Sequence, residues 1–334
     1  MRAQSATSLD DSIAAWLQKH FALKGDLHKL PGYSDLNFRL TTTSGDIFVC
    51  KFCQNPDEAE QLIAQHEVLS LLQEKNLAAI PRVITTIEGS SLVPFEHDGQ
   101  TWLGRILTYV TGKLLAEHAP YDANLLYNFG RTLGQFDQSL LEYSNPAFDY
   151  KFDWDLTHAL EVVECHRDLI GDATLRGQVN RIHAMFSEQV VPRFPELRKS
   201  VIHNDANEYN VLAEGDHISG LIDFGDMVHS YTVCDPAIAM AYVTLGSDDP
   251  AEVIREMTRG YHESLPLQDS ELIVLFPMLC MRLAVSACMA AYQMRLRPDD
   301  SYLAISQEPI RKTLPQLLRQ DCRTIHNMLR EVVS

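Results

Sequence analysis

The stretch VIHNDANEYNVLAEGDHISGLIDFGD, residues 201–226, constrains the fold of this 334-residue chain more than any other. Two apolar runs within it flank a turn-forming segment at 214–216, a pattern that is typical of a β-hairpin. Asn210 begins the first predicted strand and Asp223 ends the second, so the hairpin brings both side chains to its open end. Asp205 lies in the loop that leads into the first strand. The sequence therefore predicts that three oxygen-bearing side chains gather around one hairpin.

The residue types and their spacing indicate a particular chemistry. Carboxylate and amide oxygens suit Mg²⁺, which keeps several waters and takes its other ligands from one or two carboxylates and from substrate phosphates. His203, Asp205 and Asn210, followed by D-F-G at 223–225, have the spacing of the kinase signature H-x-D-x-x-x-x-N…D-F-G. This resemblance implies that Asp205 accepts or orients the proton of a hydroxyl group and that His203 braces the catalytic loop. It implies Mg²⁺ ligands at Asn210 and Asp223.

Patterns before the hairpin predict a β-rich segment. Residues 8–20 have helical character. Two runs rich in aromatic and β-branched residues, 36–43 and 46–53, are separated by a short turn and predict another hairpin. Residues 57–75 have apolar side chains at helical spacing, and strand signals then continue to about residue 110. The first third of the chain therefore reads as an antiparallel sheet with one inserted helix.

Helical periodicity dominates the remainder of the chain outside the opening hairpin. It recurs at 121–141, 156–170, 174–191, 235–245, 250–263, 270–296 and 310–332. The predicted fold class is therefore α+β, with a small antiparallel β N-lobe at 1–110 that binds a nucleotide. A larger, mainly helical C-lobe at 111–334 carries catalysis and substrate binding. Together with the motif, this order predicts a two-lobed, protein-kinase-like fold.

A kinase-like N-lobe supplies a lysine from its third strand, and Lys51 lies in the run IFVCKF that occupies this place. Lys51 is therefore expected to contact the α- and β-phosphates of the nucleotide. Its expected ion-pair partner comes from the helix that follows. Glu67 is favoured, and Glu60, two helical turns earlier on the same face, is the alternative.

Two further N-lobe segments are expected to contact the nucleotide. The loop that covers the phosphates is predicted in PGYSDLNFRL and includes Gly32, Tyr33 and Ser34. This loop lacks the pattern G-x-G-x-x-G, so it is expected to cover the phosphates less tightly than a glycine-rich loop does. The hinge that binds the edge of adenine or guanine is predicted at Thr108 and Tyr109.

The bulk composition limits the partners. The net charge is −17, from 45 acidic and 28 basic residues, and an acidic surface repels nucleic acid while it tolerates a cationic ligand. The seven scattered cysteines do not form a disulfide framework of the secreted type. The polar N-terminus is no signal peptide, and no apolar run is expected to approach about 18 residues. We therefore expect a cytoplasmic protein without a membrane partner.

The whole arrangement resembles the aminoglycoside phosphotransferase and choline kinase group. Unlike protein kinases, the chain has no A-P-E segment after D-F-G, and Asn204 stands where protein kinases carry arginine and this group usually carries glycine. Within the group, the runs GYSDLNFRL, HNDANEYNVL and SGLIDFGDMVHSYTVCDPAIAMAY look like hydroxylysine kinases and the kinase domain of bacterial kinase–aminotransferase fusions. The resemblance covers nearly the whole chain and is strongest over 201–242.

The resemblance implies transfer of the terminal phosphate of ATP or GTP to a hydroxyl of a small, amine-bearing molecule such as hydroxylysine. Homoserine, choline, ethanolamine and aminoglycosides are alternative acceptors, and a catalytically dead kinase fold that only binds is the alternative from another class. The candidates for recognition of an ammonium group are Asp226, Glu208, Tyr231 and Asp235. Asp235 has a second interpretation, as the N-cap of a helix that begins at Pro236.

Overall fold

The fold divides between Thr111 and Gly112 into two compact units. The computed structural model describes residues 8–30, 35–297 and 306–334. The first unit is built on antiparallel strands and the second is mainly helical, which confirms the predicted α+β class. The residues predicted to cover the phosphates, Gly32, Tyr33 and Ser34, lie outside the described part of the chain.

Six strands form the sheet of the first unit. They are β1 (Gly25–Leu30), β2 (Leu36–Thr42), β3 (Ile47–Cys53), β4 (Val83–Ile84), β5 (Val93–His97) and β6 (Gln100–Thr108). The order is β1-β2-β3-β6-β4, β5 also pairs with β6, and every pair is antiparallel. The β2–β3 pair is the hairpin predicted at 36–53. Sequence patterns missed β1 because this edge strand, GDLHKL, buries none of its side chains fully and has no apolar alternation.

The described residues of the first unit form two α-helices, α1 (Leu9–Phe21) and α2 (Ala59–Lys75). Ser8 caps α1, because its side chain accepts the backbone N–H of Asp11. Trp16 of α1 is buried with its ring 5.1 Å from that of Phe52, and its indole N–H donates to the Pro94 carbonyl oxygen at 2.9 Å. The helix thereby covers one face of the sheet and closes an aromatic core.

Within the described part of the second unit, eight helices surround five short strands. The helices are α3 (Ala123–Leu140), α4 (Ala159–His166), α5 (Ala173–Gln189), α6 (Cys234–Val243), α7 (Pro250–Ser264), α8 (Asp269–Leu296), α9 (Gln307–Leu317) and α10 (Cys322–Val332). The strands are β7 (Lys113–Leu114), β8 (Lys199–Ile202), β9 (Val211–Glu214), β10 (His217–Leu221) and β11 (Val228–Tyr231). They pair as β10-β9-β7 and β11-β8.

The single helix predicted at 310–332 is two helices, α9 and α10. The break falls between Leu317 and Cys322, where Asp321 accepts the backbone N–H of Thr324 and so caps α10. Apolar periodicity continues across the break because both helices bury one face against the same core. The apolar periodicity of the sequence therefore did not reveal the N-cap at Asp321.

The expectation that no apolar run approaches 18 residues is wrong for α8. This 28-residue helix is long and apolar enough to span a membrane by length and composition. Nearly all of its apolar part is buried inside the protein, where it packs against α4, α5, α6, α9 and α10. The apolar composition of α8 is thus accounted for by the core of the second unit.

Helices α3 and α7 approach each other with their backbones almost in contact. Gly130 of α3 lies against the backbone oxygen of Met257, and Gly260 of α7 lies against the backbone oxygen of Tyr127. A Cβ atom at either glycine would overlap the opposing backbone. The pair of helices therefore depends on glycine at both positions, since a backbone atom cannot move aside as a flexible side chain can.

We predict that Gly260→Ala lowers the free energy of unfolding of the second unit by about 1–3 kcal/mol, because the added methyl group forces α3 and α7 apart. Gly177→Ala is the matched control. Gly177 lies inside α5 with open space around it, so the same change there should stabilise the helix by about 0.5–1 kcal/mol. Urea denaturation of both variants measures the difference, and equal midpoints would contradict the close packing.

Candidate active site

The predicted hairpin is present and brings Asn210 and Asp223 to one end. β9 and β10 pair in antiparallel register, with Val211 opposite Leu221. Beyond the last pair, the Ile222 N–H donates to the Asn210 carbonyl oxygen at 2.9 Å. Since Ile222 directly precedes Asp223, this bond sets the Asp223 backbone beside Asn210 at the open end of the hairpin. The arrangement predicted from the opening stretch is thus formed locally, by one turn and one closing bond.

The carboxylate of Asp205 is held from three sides. Its Oδ2 accepts the side-chain amide N–H of Asn210 at 2.7 Å. Its Oδ1 accepts the side-chain amide N–H of Asn207 at 3.0 Å and a guanidinium N–H of Arg282 at 3.2 Å. Burial raises the pKa of Asp205 to about 6, although the charge of Arg282 acts in the opposite direction. The orientation of this carboxylate is therefore fixed before any ligand arrives.

Arg282 is the principal site residue that the sequence analysis missed. It lies in the middle of α8, its side chain is only 1% exposed, and it donates to the Trp154 carbonyl oxygen at 2.8 Å and to the Tyr242 hydroxyl at 3.2 Å. Its guanidinium also lies 4.7 Å from the centre of the Trp154 ring. A signal was present in the sequence, because Arg282 is the only charged residue between Glu271 and Arg295. A buried charge at such a place requires a partner.

Three carboxylates crowd the open end of the hairpin. Asp223 is exposed and has left-handed backbone, with φ of 59°. Burial, followed by the charges of Asp205 and Asp223, raises the pKa of Asp226 to about 7. A cation bound here would reverse that effect by stabilising the charged forms. Among the described residues, no group of three or more His, Cys, Asp and Glu side chains is arranged to hold a metal ion by itself. A bound cation would therefore take further ligands from Asn210 and from phosphates.

His203, two residues before Asp205, is fully buried. One ring nitrogen, Nδ1, accepts the backbone N–H of Asp205 at 3.3 Å, and the other, Nε2, lies 3.0 Å from the Ile222 carbonyl oxygen. The ring therefore connects the catalytic loop to the end of the hairpin. These contacts agree with the predicted role of His203 as a brace, and this role remains a prediction.

Asp235 has a different role from the helix cap expected of it. α6 begins at Cys234 with Val233 as its N-cap, so the expectation that Asp235 caps a helix from Pro236 is wrong. Its fully buried carboxylate instead accepts two backbone N–H groups of the catalytic loop, from His203 at 3.0 Å and from Asn204 at 2.7 Å. With both oxygens engaged and no exposure, Asp235 does not offer a surface to a substrate amine.

Glu208 is the ammonium candidate with the most suitable surroundings. Its Oε2 atom is buried and has no hydrogen-bond partner among the described residues. Burial raises the pKa of Glu208. Burial also raises the pKa of Tyr121, Tyr209 and Tyr242, and the charge of the nearby Glu208 adds to the shift in each. A carboxylate among aromatic rings has the chemistry that binds an ammonium group.

Tyr231 is less suited to substrate contact. It is mostly buried in β11, where its ring stacks on Phe194 at 4.5 Å and lies 4.8 Å from the ammonium group of Lys199. These contacts place an aromatic ring and a cation beside Tyr231. The side chain therefore packs within the second unit, and a role for Tyr231 in ammonium recognition stays a prediction.

The predicted nucleotide residues lie within the first unit. Lys51 is in β3, where it pairs across the sheet with Asn37 of β2 and Arg105 of β6. Glu60 and Glu67 are both exposed on α2, and the choice between them as partner of Lys51 stays a prediction. Because cross-strand partners project to the same face, Lys51 and Arg105 place two positive charges on one face of the sheet.

The predicted hinge at Thr108 and Tyr109 has two backbone amides that already bond within the first unit. The Thr108 N–H donates to the Arg82 carbonyl oxygen at 2.8 Å, and the Tyr109 N–H donates to the Ile47 carbonyl oxygen at 3.2 Å. Both amide groups are therefore committed to the sheet. A nucleobase edge at this segment would have to bond the Tyr109 carbonyl or the backbone of Val110.

The chain is similar to known kinases in sequence and in fold. It is 29% identical over 331 residues to the hydroxylysine kinase of Mus musculus, a match that covers 91% of this chain and 88% of that protein. A microcompartment-associated aminopropanol kinase superposes with a TM-score of 0.73 at 14% identity, covering 96% of this chain and 98% of the other. An amicoumacin kinase superposes with a TM-score of 0.72 at 14% identity, covering 95% and 97%.

The two superpositions confirm the predicted kinase-like fold, and at 14% identity they bear on the fold alone. The family is established by the sequence. The family model described as the phosphotransferase enzyme family (APH) matches residues 27–271, which is more than two thirds of the chain. This agrees with the resemblance seen in the motifs around the hairpin, and the chain belongs to the phosphotransferase enzyme family.

Proposed function

We propose that this phosphotransferase is a small-molecule kinase that transfers the terminal phosphate of ATP or GTP to the hydroxyl of an amino alcohol, with 5-hydroxylysine as the representative acceptor. The observation that carries the proposal is the Asp205 carboxylate, held 2.7 Å from the Asn210 amide beside Asp223. The similarity to hydroxylysine kinase over most of the chain supports the class of acceptor. The aminopropanol kinase with the same fold, named for an amino alcohol, agrees with it.

In this proposal Asp205 accepts or orients the proton of the acceptor hydroxyl. The bonds from Asn207, Asn210 and Arg282 fix both of its oxygens, so little reorganisation is needed when the hydroxyl arrives. Arg282 also supplies the positive charge that favours the carboxylate form at a half-buried position. Catalysis is then mainly the positioning of the hydroxyl and the neutralisation of charge on the phosphates.

Asn210 and Asp223 would hold Mg²⁺ against the nucleotide phosphates. The crowded carboxylates fit a cation, and the Asn210 amide nitrogen already donates twice to Asp205, which leaves its oxygen as the ligand atom. When bound, the ion neutralises charge that develops on the phosphates. Amicoumacin kinase, which has a similar fold, is known in complex with AMP-PNP and Ca²⁺. This supports the binding of a nucleotide and a divalent cation here.

The nucleotide assignments in the first unit are proposals of the same kind. Lys51 contacts the α- and β-phosphates, and Glu67, or alternatively Glu60, pairs with it. Gly32, Tyr33 and Ser34 cover the phosphates, and the segment at Thr108 and Tyr109 contacts the base through backbone groups other than its committed amides. The acidic side of the acceptor pocket is assigned to Glu208 and Asp226.

We also propose a cytoplasmic location, supported by the fact that all seven cysteines are free thiols.

Homoserine, choline, ethanolamine and aminoglycosides remain the alternative acceptors, and a binding protein with an inactive kinase fold is the alternative class. One experiment separates these functions. Purified protein is assayed for nucleoside diphosphate release with ATP and with GTP against a panel of hydroxylated amines. Turnover with 5-hydroxylysine supports the proposal, and no turnover with any acceptor favours the binding protein.

We predict that Asp205→Asn abolishes nearly all phosphoryl transfer while nucleotide affinity stays near that of the wild type. The substitution keeps size but removes the proton acceptor, and loss of a general base typically costs about 10²–10⁴-fold in rate. Steady-state kinetics and calorimetry with the nucleotide measure the two quantities. Turnover within tenfold of the wild type would show that Asp205 is not the base.

We predict that Asp223→Ala weakens the binding of the nucleotide in the presence of Mg²⁺, because a charged ligand of the ion is lost. Titration calorimetry with and without Mg²⁺ isolates the metal-dependent part. Asp216→Ala is the matched control, since Asp216 lies in the exposed turn at the opposite end of the same hairpin. If Asp223→Ala keeps the wild-type affinity for the Mg²⁺–nucleotide complex, the metal assignment is wrong.

We predict that N-acetylation of the side-chain amine of 5-hydroxylysine raises its KM at least about tenfold, which is roughly 1.4 kcal/mol of charge-assisted bonding. Glu208→Gln should raise KM for the free amine by a similar factor and remove most of the difference between the two substrates. This double cycle assigns the interaction to Glu208. Equal kinetics for both substrates with the wild-type enzyme would exclude a cation-selective pocket but not the kinase activity.

A further inference from the structure

A second buried carboxyl group lies behind the catalytic loop and has no part in the chemistry proposed above. Asp137 of α3 is fully buried. Its Oδ2 atom accepts the hydroxyl hydrogen of Tyr261, from α7, at 2.5 Å. Its other oxygen, Oδ1, meets no N–H or O–H donor among the described residues. A buried carboxyl oxygen without a donor is costly and calls for an explanation.

Asp137 faces a second carboxyl group. It lies within hydrogen-bonding reach of Asp235, the residue that accepts the backbone N–H groups of His203 and Asn204. Both oxygens of Asp235 are thus already acceptors. A hydrogen bond between the two carboxyl groups requires that one of them carries a proton, because two carboxylates offer only acceptors.

The surrounding charges do not allow both groups to ionise. Arg198 is the cation near Asp137, and its guanidinium is engaged by the buried Glu271, with Nε and Nη2 donating to its two oxygens at 2.8 and 2.6 Å. Two negative charges in contact in a buried place are strongly unfavourable without a counter-charge. Burial, followed by the charge of Asp235, raises the pKa of Asp137 well above its ordinary value.

The backbone donors decide which group holds the proton. Asp235 receives two N–H groups, which stabilise its charged form, whereas Asp137 receives one neutral hydroxyl. A proton on Asp137 would satisfy its orphaned oxygen and would point at Asp235. Every polar atom of the pair would then have a partner.

We propose that Asp137 is a positioning residue of the phosphotransfer reaction, a neutral carboxylic acid that donates its O–H to Asp235 and thereby holds the catalytic loop in place. The positioning contacts run from Asp137 through Asp235 to the backbone of His203 and Asn204, while the bond from Tyr261 holds the other oxygen of Asp137. Asp205 follows directly, so the direction of its carboxylate depends on this support. The close packing of α3 and α7, through their glycines, fixes the distance between Tyr261 and Asp137.

The proposal gives a specific expectation for substitutions. Asp137→Asn replaces the acid with a neutral group of the same shape, whose amide N–H can donate to Asp235 while its oxygen accepts from Tyr261. It should keep kcat within about threefold of the wild type. Asp137→Ala removes the donor and leaves Asp235 with an empty space beside it, so it should lower kcat at least about tenfold, with the KM for the nucleotide little changed.

Tyr261→Phe is the control for a purely structural role. It removes the other hydrogen bond of Asp137 without touching Asp235. We expect it to lower the urea midpoint about as much as Asp137→Ala does, while its kcat stays within about twofold of the wild type. Equal loss of kcat in these two variants would show that Asp137 acts on stability alone and would overturn the proposal.

The protonation state has its own measurement, independent of activity. The kcat measurements rest on the proposed kinase function. Infrared spectroscopy of the intact protein tests the protonation of Asp137 without assuming that function. At pH 8, where an ordinary aspartate is ionised, the wild type should show the carbonyl band of a protonated carboxylic acid. The band should disappear in Asp137→Asn and persist in Asp226→Asn, which removes another buried acid whose pKa is raised. Absence of the band, or its persistence in Asp137→Asn, overturns the proposal even if the enzyme proves to be a kinase.

Discussion

The contact between Asp235 and the catalytic loop is the interaction on which the rest of the site depends. One carboxylate at the start of α6 accepts two successive backbone N–H groups, from His203 and Asn204. The backbone of Asn204 itself lies in the left-handed region, with φ of 65°. Asparagine tolerates this conformation better than most residues do. Asp205 follows this turn, so a buried charge in the helical core sets the direction of a side chain at the surface.

The electrostatics of the site follow from an excess of negative charge that the protein's own side chains do not neutralise. Asp205, Asp223 and Asp226 raise one another's free energy when all are charged, and Arg282 offsets only part of that repulsion. In the proposed function, a divalent cation and the ammonium group of the acceptor would offset the remaining repulsion, whereas an anionic acceptor would increase it. Glu208, with an unpaired buried oxygen, extends the same preference to the acceptor. The proposed preference for a cationic acceptor would thus follow from the arrangement of these carboxylates.

Sequence reasoning succeeded where the interactions are local and failed where they join distant segments. The hairpin that carries Asn210 and Asp223 is set by a turn and a short spacing, and so was predicted. Arg282 lies 77 positions after Asp205 in an apolar run, and only the packing of α8 brings them together. Asp235 was expected to cap its own helix, because aspartate before proline is a common helix start. The structure instead uses its carboxylate in a tertiary contact with the catalytic loop, which no local sequence pattern reveals. The edge strand β1 and the break before α10 were missed for a related reason: β1 has no apolar alternation, and the apolar periodicity continues across the break.

The burial of α8 has a consequence for how this protein is made. A segment of this length and apolarity, emerging from a ribosome, has the same composition as a membrane anchor. The helices α4, α5 and α6, which cover it in the folded unit, all precede it in the chain and are synthesised first. Part of the surface that covers α8 is therefore synthesised before α8, while α9 and α10 follow it. The one charge at its centre, Arg282, serves the finished active site and also marks the segment as unsuited to a bilayer.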